Sequence, residues 1–304
     1  MKNDGLSARL LSAAVILVTL FTLMWLDFQR AVFGVSGAWL LPLLLVVSVL
    51  ATEEVLSLLR AQNYLPRPAI IYATNLALPT IVSWPILVQL GHWNAASATP
   101  SVALAWVPAA LGVCTMAAFI GEMARYAKPG TAIVNVALSV FTMIYIGVCL
   151  SFWASLRLHH HNSVGMVALF SLLLIVKTAD VGAFACGKCF GRHKLTPVLS
   201  PGKTWEGALG GLVTACLVSW AFFRFAAPLI TGLKPASVAS ALAYGGSLAI
   251  AGMIGDLAES LLKRDMQRKD SSSWLPGLGG VLDIIDAPLL AGPVAWLFWN
   301  LSLM

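Results

Sequence analysis

The sequence predicts an all-α polytopic integral membrane protein of about nine transmembrane helices, with a cytoplasmic N-terminus and no β-sheet domain. Three observations carry this expectation. Of 304 residues, 59% are hydrophobic and only 11% are charged, whereas a soluble domain carries about 25% charged residues. The apolar residues come in runs of roughly 20, the length that crosses a hydrocarbon layer as a helix. The basic residues between those runs fall mainly into alternate loops, as insertion into a membrane requires.

The first run, residues 10–26, follows Lys2 and Arg9 as the core of a secretion signal would. It is longer than such a core, and no small-residue cleavage motif precedes the next run, so it is expected to be a retained span. Runs at 31–50, 69–90, 101–120 and 131–153 complete the N-terminal half. Their loops are short and carry scattered charges such as Glu53 and Glu54. Runs at 163–187, 205–230, 236–257 and 287–303 make up the C-terminal half. Pro and Gly inside several runs are tolerable, because neighbouring helices satisfy the freed backbone groups. Cys114, Cys149 and Cys216 lie well within runs, where the thiol acts as a small hydrophobe. Cys186-Gly187-Lys188-Cys189 has C-x-x-C spacing but lacks a second pair to complete a tetrahedral zinc site. The three histidines 159–161 read as a solvated loop.

With nine spans and the N-terminus inside, the cytoplasmic segments hold fourteen of the 19 basic residues. The opposite side keeps Arg30, Arg157, Arg224 and Lys234, and Lys177 lies within a span. The formal charge of +6 therefore gathers on one face, where it satisfies the insertion rule and attracts anionic lipid headgroups. Membrane lipid is the partner this implies, and no nucleic acid is expected.

The chain changes character near residue 160. Residues 1–160 are expected to pack around the remainder or to form a subunit contact. Residues 161–304, with cytoplasmic polar stretches at 187–205 and 259–286, are expected to carry the chemistry. Asp180 lies deep in a span, where an ionised carboxylate costs at least ~2.5 kcal/mol and needs a partner or a task. Lys177, three residues earlier on the same helical face, can be that partner. Downstream, Ser200-Pro201-Gly202-Lys203-Thr204-Trp205-Glu206-Gly207 joins a turn to a helix start, a place where amides, hydroxyls and a lysine can hold phosphate. It is not a Walker A motif, because Pro197 stands where the first glycine is needed. Farther on, Asp256, Glu259, Ser260 and Lys263 share one helix face, which leads into Lys263, Arg264, Arg268 and Lys269. Asp283 and Asp286 share another face directly after Gly279-Gly280. Carboxylate pairs beside cations suit a magnesium-bound polyphosphate: hard oxygens for the ion, cations for the phosphate oxygens.

These blocks, taken together and in order, resemble the phosphatidate cytidylyltransferase (CDP-diacylglycerol synthase) family. The resemblance rests on Asp180 with Gly182-Ala183, Gly187, Gly191, the Ser200 to Gly207 block and Gly255-Asp256-Leu257 with Glu259-Ser260. It continues through Lys263-Arg264, Lys269-Asp270, Pro276-Gly277, Gly279-Gly280, Asp283 and Asp286. It covers roughly residues 177–286. The chain departs from the family pattern at Leu278, where a His is usual, at Ile284, where an Arg is usual, and at Phe184, often a Tyr.

The resemblance implies transfer of the cytidylyl group of CTP to phosphatidic acid, giving CDP-diacylglycerol and pyrophosphate. It implies Mg2+ as cofactor, with room for a second cation. The catalytic residues it implies are Asp256, Lys263, Arg264, Lys269, Asp283 and Asp286, with Asp256, Asp283 and Asp286 as metal ligands. The substrate-binding residues it implies are Asp180, Ser200, Lys203, Thr204, Glu206, Glu259, Ser260, Asp270, Gly279 and Gly280. A homodimer in a bacterial plasma (inner) membrane, its active site facing the cytoplasm, belongs to the same expectation. Three alternatives stay open at this point: a CTP-dependent kinase of polyprenol-type lipids, a secondary transporter, and an inactive family member.

Overall fold

A computed structural model describes residues 4–29, 35–91, 100–127, 129–159, 162–268, 270–272, 274 and 279–301. The first eight helices are α1 (Asp4–Gln29), α2 (Leu40–Ala61), α3 (Pro68–Val82), α4 (Trp84–Leu90), α5 (Pro100–Ala105), α6 (Val107–Met123), α7 (Ala132–Thr142) and α8 (Cys149–Arg157). They are followed by α9 (Asn162–Phe190), a ribbon of β1 (Lys194–Thr196) and β2 (Ser200–Thr204), α10 (Trp205–Ala221), α11 (Ala227–Thr231), α12 (Val238–Asp265) and α13 (Leu282–Asn300). Among the described residues, eight helical segments are long and apolar enough to cross a membrane. A ninth crossing results if α3 and α4, bent by 68° at their junction, count as one span. The chain is thus an all-α polytopic membrane protein, and its one described sheet is the two-stranded antiparallel ribbon.

Two spans differ from their sequence expectation for identifiable reasons. The second begins at Leu40 rather than 31 and runs on to Ala61, so Glu53 and Glu54 are helical and not in a loop. Gly37, at φ +91, makes a turn before it, and the Gly37 and Trp39 amides donate to Asp27 at 3.1 and 3.0 Å. The third span breaks at Ser83 because Pro85 has no N–H to continue the ladder and its ring collides with the carbonyl four residues back.

The helices sort into two compact units. Unit one comprises Met1–Leu158 together with Met266–Ile284. The segment 266–284 thus goes with the N-terminal helices, where the sequence grouped it with the C-terminal half. Leu56, Ile71, Ala118 and Met143 form one of its buried clusters, joining α2, α3, α6 and a π-helical turn at Met143–Val148. That turn brings Gly147 against Asn75 so closely that a Cβ would strike the Asn75 side chain. Two of the buried polar groups in this unit show how they are paired. Arg157 Nε donates to Asp27 at 2.7 Å, and Asn75 Nδ2 donates to Thr52 Oγ1 at 2.8 Å.

Unit two comprises His159–Asp265 and Ile285–Met304. Its helices approach through small residues, as membrane helices do when no hydrophobic force drives them together. A Cβ on Gly182 would collide with Thr214, one on Gly210 with Cys186, and one on Gly211 with the Ala179 carbonyl at 2.9 Å. A Cβ on Gly245 would meet the Ala215 carbonyl at 2.6 Å. Tyr244, fully buried, packs edge-on against Phe223 and Phe298 and shares a 2.9 Å hydrogen bond with Ser171. This aromatic layer sits about 18 Å along α12 from Asp256, by the rise of 1.5 Å per residue.

Candidate active site

The acidic residues of unit two converge from three helices. α12 carries Asp256 and Glu259 one turn apart, and α13 carries Asp286. Their proximity follows from Gly255: a Cβ there would run into the Asp286 carbonyl and the Ala287 Cα, so only glycine lets α12 and α13 come this close. Ligand atoms of Asp256, Glu259 and Asp286 all lie within 4.8 Å of one another. Glu259 and Asp286 are buried and Asp256 is half-exposed, so the group has a dry floor and an open side. Asp180 on α9 joins electrostatically, acting on both Asp256 and Asp286.

Cations face this group. Lys203, at the end of β2, places Nζ 2.7 Å from Asp256 Oδ2. Lys263 donates to Glu259 Oε2 at 2.6 Å, and Lys177 Nζ is 3.5 Å from Asp180 Oδ2. Among the described residues this sets the acids Asp180, Asp256, Glu259 and Asp286 against the lysines 177, 203 and 263. The excess is negative. Carboxylates this close in a partly dry site repel one another unless a cation or proton compensates, and oxygen-only donors suit a hard divalent ion. The donor set therefore fits a divalent cation.

The ribbon that presents Lys203 is held locally. Thr204 caps α10, its Oγ1 accepting from the Gly207 amide at 3.1 Å. Gly191 and Gly207 leave room for that hydroxyl, since a Cβ on either would crowd it. Glu206, in the first turn of α10, accepts from the Arg192 and His193 amides at 3.1 and 3.2 Å and faces His193 Nδ1 at 2.6 Å. Glu206 thus acts as a clamp on the turn after α9. Ser200 and Ser260 are half-buried. Arg264 is exposed, its Nε 3.5 Å from the Leu199 carbonyl.

In unit one Asp283, expected from the sequence to be a metal ligand, accepts hydrogen bonds from neighbouring donors. Because α13 starts at Leu282, Asp283 falls in its first turn. There its Oδ2 accepts from the Gly280 amide at 2.7 Å and from Ser271 Oγ at 2.7 Å, in the manner of a capping box. Gly279, at φ +88, turns the chain into this cap, and a Cβ on it would strike Asp283. Asp270 is exposed. Lys269 and Leu278 lie outside the described residues. Ile284 is half-buried, and Phe184 is exposed near the end of α9 with Lys188 Nζ 5.9 Å from its ring centre.

One residue of this region escaped the sequence reading. Glu54 of α2 is buried, at 1% exposure, and accepts hydrogen bonds from Ser271, Ser272 and the amides of Val281 and Leu282. A carboxylate within a long apolar helix is the signal that marks it. Ending the span at residue 50 hid that signal by leaving Glu54 in a loop.

A family model described as the cytidylyltransferase family matches residues 7–302. The chain is 40% identical over 141 residues to the phosphatidate cytidylyltransferase of Haemophilus influenzae, a match covering 45% of this chain and 48% of that one. It is 34% identical over 177 residues to that of Mycobacterium bovis, covering 57% and 54%. With that of Bacillus subtilis it shares 38% over 160 residues, covering 53% and 56%. The chain spans about half the length of the curated relatives it matches. A match from residue 7 to residue 302 takes in every span and both polar stretches, and by it the chain belongs to the cytidylyltransferase family.

Proposed function

We propose that this protein is a phosphatidate cytidylyltransferase, joining CTP and phosphatidic acid into CDP-diacylglycerol with release of pyrophosphate. The observation that carries the reading is the grouping of Asp256, Glu259 and Asp286 beside Lys203 and Lys263 in a chain of this family. The relatives' name supplies the substrates.

The chemistry suits those residues. A phosphate monoester has a second pKa of about 6, so the acceptor is largely a dianion at neutral pH and needs no general base. One of its oxygens attacks the α-phosphorus of CTP. The new P–O bond forms as the bond from that phosphorus to the bridging oxygen breaks, and pyrophosphate leaves with the electron pair. The obstacle is repulsion between two anions, which fixed positive charge relieves. Asp256, Glu259 and Asp286 are the residues proposed to hold Mg2+, which when bound neutralises phosphate charge. Lys203, Lys263, Arg264 and Lys269 face phosphate oxygens in this proposal. Ser200, Thr204, Gly279 and Gly280 serve as neutral donors or close-approach points. Asp180 pairs with Lys177 and adds to the negative field. Glu206 and Asp283 brace the segments that carry these groups.

The same reading places the protein in a bacterial plasma membrane as a homodimer, with the polar stretches in the cytoplasm. The clustering of basic residues in alternate loops supports that orientation.

The test adds CTP labelled on the α-phosphate to purified protein and phosphatidic acid, with Mg2+ or with excess EDTA. CDP-lipid and pyrophosphate formed only with Mg2+ is the expected result. Lipid phosphate with free CDP would instead mean a kinase and end the proposal.

A further inference from the structure

We propose that Glu54, far away in sequence on α2, is a positioning residue for the turn that carries Gly279, Gly280 and Asp283. The inference rests on the cytidylyltransferase reading above for what that turn does, and on geometry for how it is held. One carboxylate gathers both ends of the segment. On the upstream side Ser271 Oγ donates to Glu54 Oε2 at 3.1 Å and Ser272 Oγ donates to Oε1 at 2.8 Å. On the downstream side the Val281 amide donates to Oε1 at 2.8 Å and the Leu282 amide to Oε2 at 2.7 Å. Each oxygen therefore takes one bond from either end of the segment. Among the described residues, these partners are all neutral donors, two of them amides at the start of α13, where a helix favours negative charge.

Ser271 links Glu54 to the turn. Its hydroxyl lies 3.1 Å from Glu54 and 2.7 Å from Asp283 Oδ2, and its amide also points at Asp283 at 3.4 Å. A Cβ on Gly280 would strike both the Ser271 hydroxyl and the Glu54 carboxylate, so the turn rests directly on this pair. Serine caps alone would satisfy the α13 amides without a charge. A buried carboxylate reaching from another helix does more, since it sets where the turn sits relative to α2. Groups that orient metal ligands cost about 10- to 100-fold in activity when lost, and by analogy the low end of that range is expected for Glu54.

The experiment compares full-length wild type, Glu54→Gln and Ser271→Ala in detergent or nanodiscs. Gln keeps the shape but replaces one accepting oxygen with a donor aimed at donors. Three readouts are taken: kcat per folded molecule, KM for CTP, and maleimide labelling of a cysteine placed at exposed Trp274, measured above the background of the native thiols. Expected for Glu54→Gln are a kcat about tenfold lower, a KM changed by less than about threefold, and faster labelling at 274. Ser271→Ala should move in the same direction by a smaller factor, and it carries the test if Glu54→Gln does not fold. Unchanged kcat per folded molecule together with unchanged labelling in either folded variant overturns the proposal. If wild type makes no CDP-lipid, yet labelling at 274 still rises in the variants, the positioning role stands and the cytidylyltransferase reading falls.

Discussion

At the scale of single residues, Asp27 and Arg157 show how a buried charge is kept by a specific partner set. Asp27, wholly buried, holds Arg157 at 2.5 Å and two backbone amides. Removing one member of such a pair strands the other charge in a dry place. Arg157→Ala is therefore expected to destabilise the fold by about 3–5 kcal/mol, read as a lower melting temperature in detergent. Arg157→Ala with Asp27→Asn should recover part of that loss, because no ion is then left unpaired. The Asp256, Glu259 and Asp286 group follows a different logic, since its members face one another rather than dedicated cations alone. Asp286→Asn or Asp256→Asn should lower kcat on the order of 10²–10³-fold while leaving the melting temperature in EDTA unchanged or raised. Raised stability is the expected sign, because each change removes one repelling charge. A mutant that retains full activity would remove that residue from the proposed site.

At the scale of elements, close helix contact decides where the side chains meet. Gly255 lets α12 touch the backbone of α13 at Asp286, and Gly211 lets α10 touch the Ala179 carbonyl of α9. Gly255→Val should force these helices apart, separating Asp286 from Asp256 and Glu259. The expected readout is loss of activity with reduced yield of folded protein. Gly246→Ala, on the same helix, meets its nearest neighbour only at 3.5 Å and should leave both near wild type. The ribbon between α9 and α10 is a second such element. Thr204→Val removes the cap of α10, a loss of about 1 kcal/mol, and also loosens the hydroxyl that Gly191 and Gly207 enclose. Because Lys203 is the adjoining residue, KM for CTP should rise more than stability falls. Equal wild-type values for both would show that the cap does not steer Lys203.

At the scale of the whole molecule, membrane insertion and charge set the boundary conditions. Eight described spans, or nine with the bent pair, leave the polar stretches after α9 and α12 in loops rich in Lys and Arg. If the cytoplasm receives those loops, thiols introduced at residues 194 and 268 should react with a membrane-impermeant reagent only after cells are opened. A thiol at 234 should react in cells whose outer face is accessible. The reverse pattern would turn the protein over and remove cytosolic CTP as its substrate. The proposed reaction needs the same orientation, since its nucleotide triphosphate would come from the inner side.

Much of this was legible without coordinates. Spans are readable because a hydrocarbon layer demands about 20 apolar residues and tolerates few charges, and alternate-loop cations report topology through the cost of moving them across. Asp256, Glu259 and Lys263 could be placed on one face by helical periodicity alone, because local spacing fixes local direction. Two features were not legible. The helix register of the second span depended on a turn at Gly37 and on a partner for Glu54, and that partner lies more than two hundred residues away in the chain. The setting of Asp283 was hidden for a nearer reason: its donors Gly280 and Ser271 stand three and twelve residues away, and they meet it where α13 starts at Leu282. Sequence by itself determined the membrane class, the family and the acids worth watching, because those follow from composition and local pattern. Only the tertiary structure decided which acids meet, because burial of a charge is settled by the donors that long-range packing brings to it.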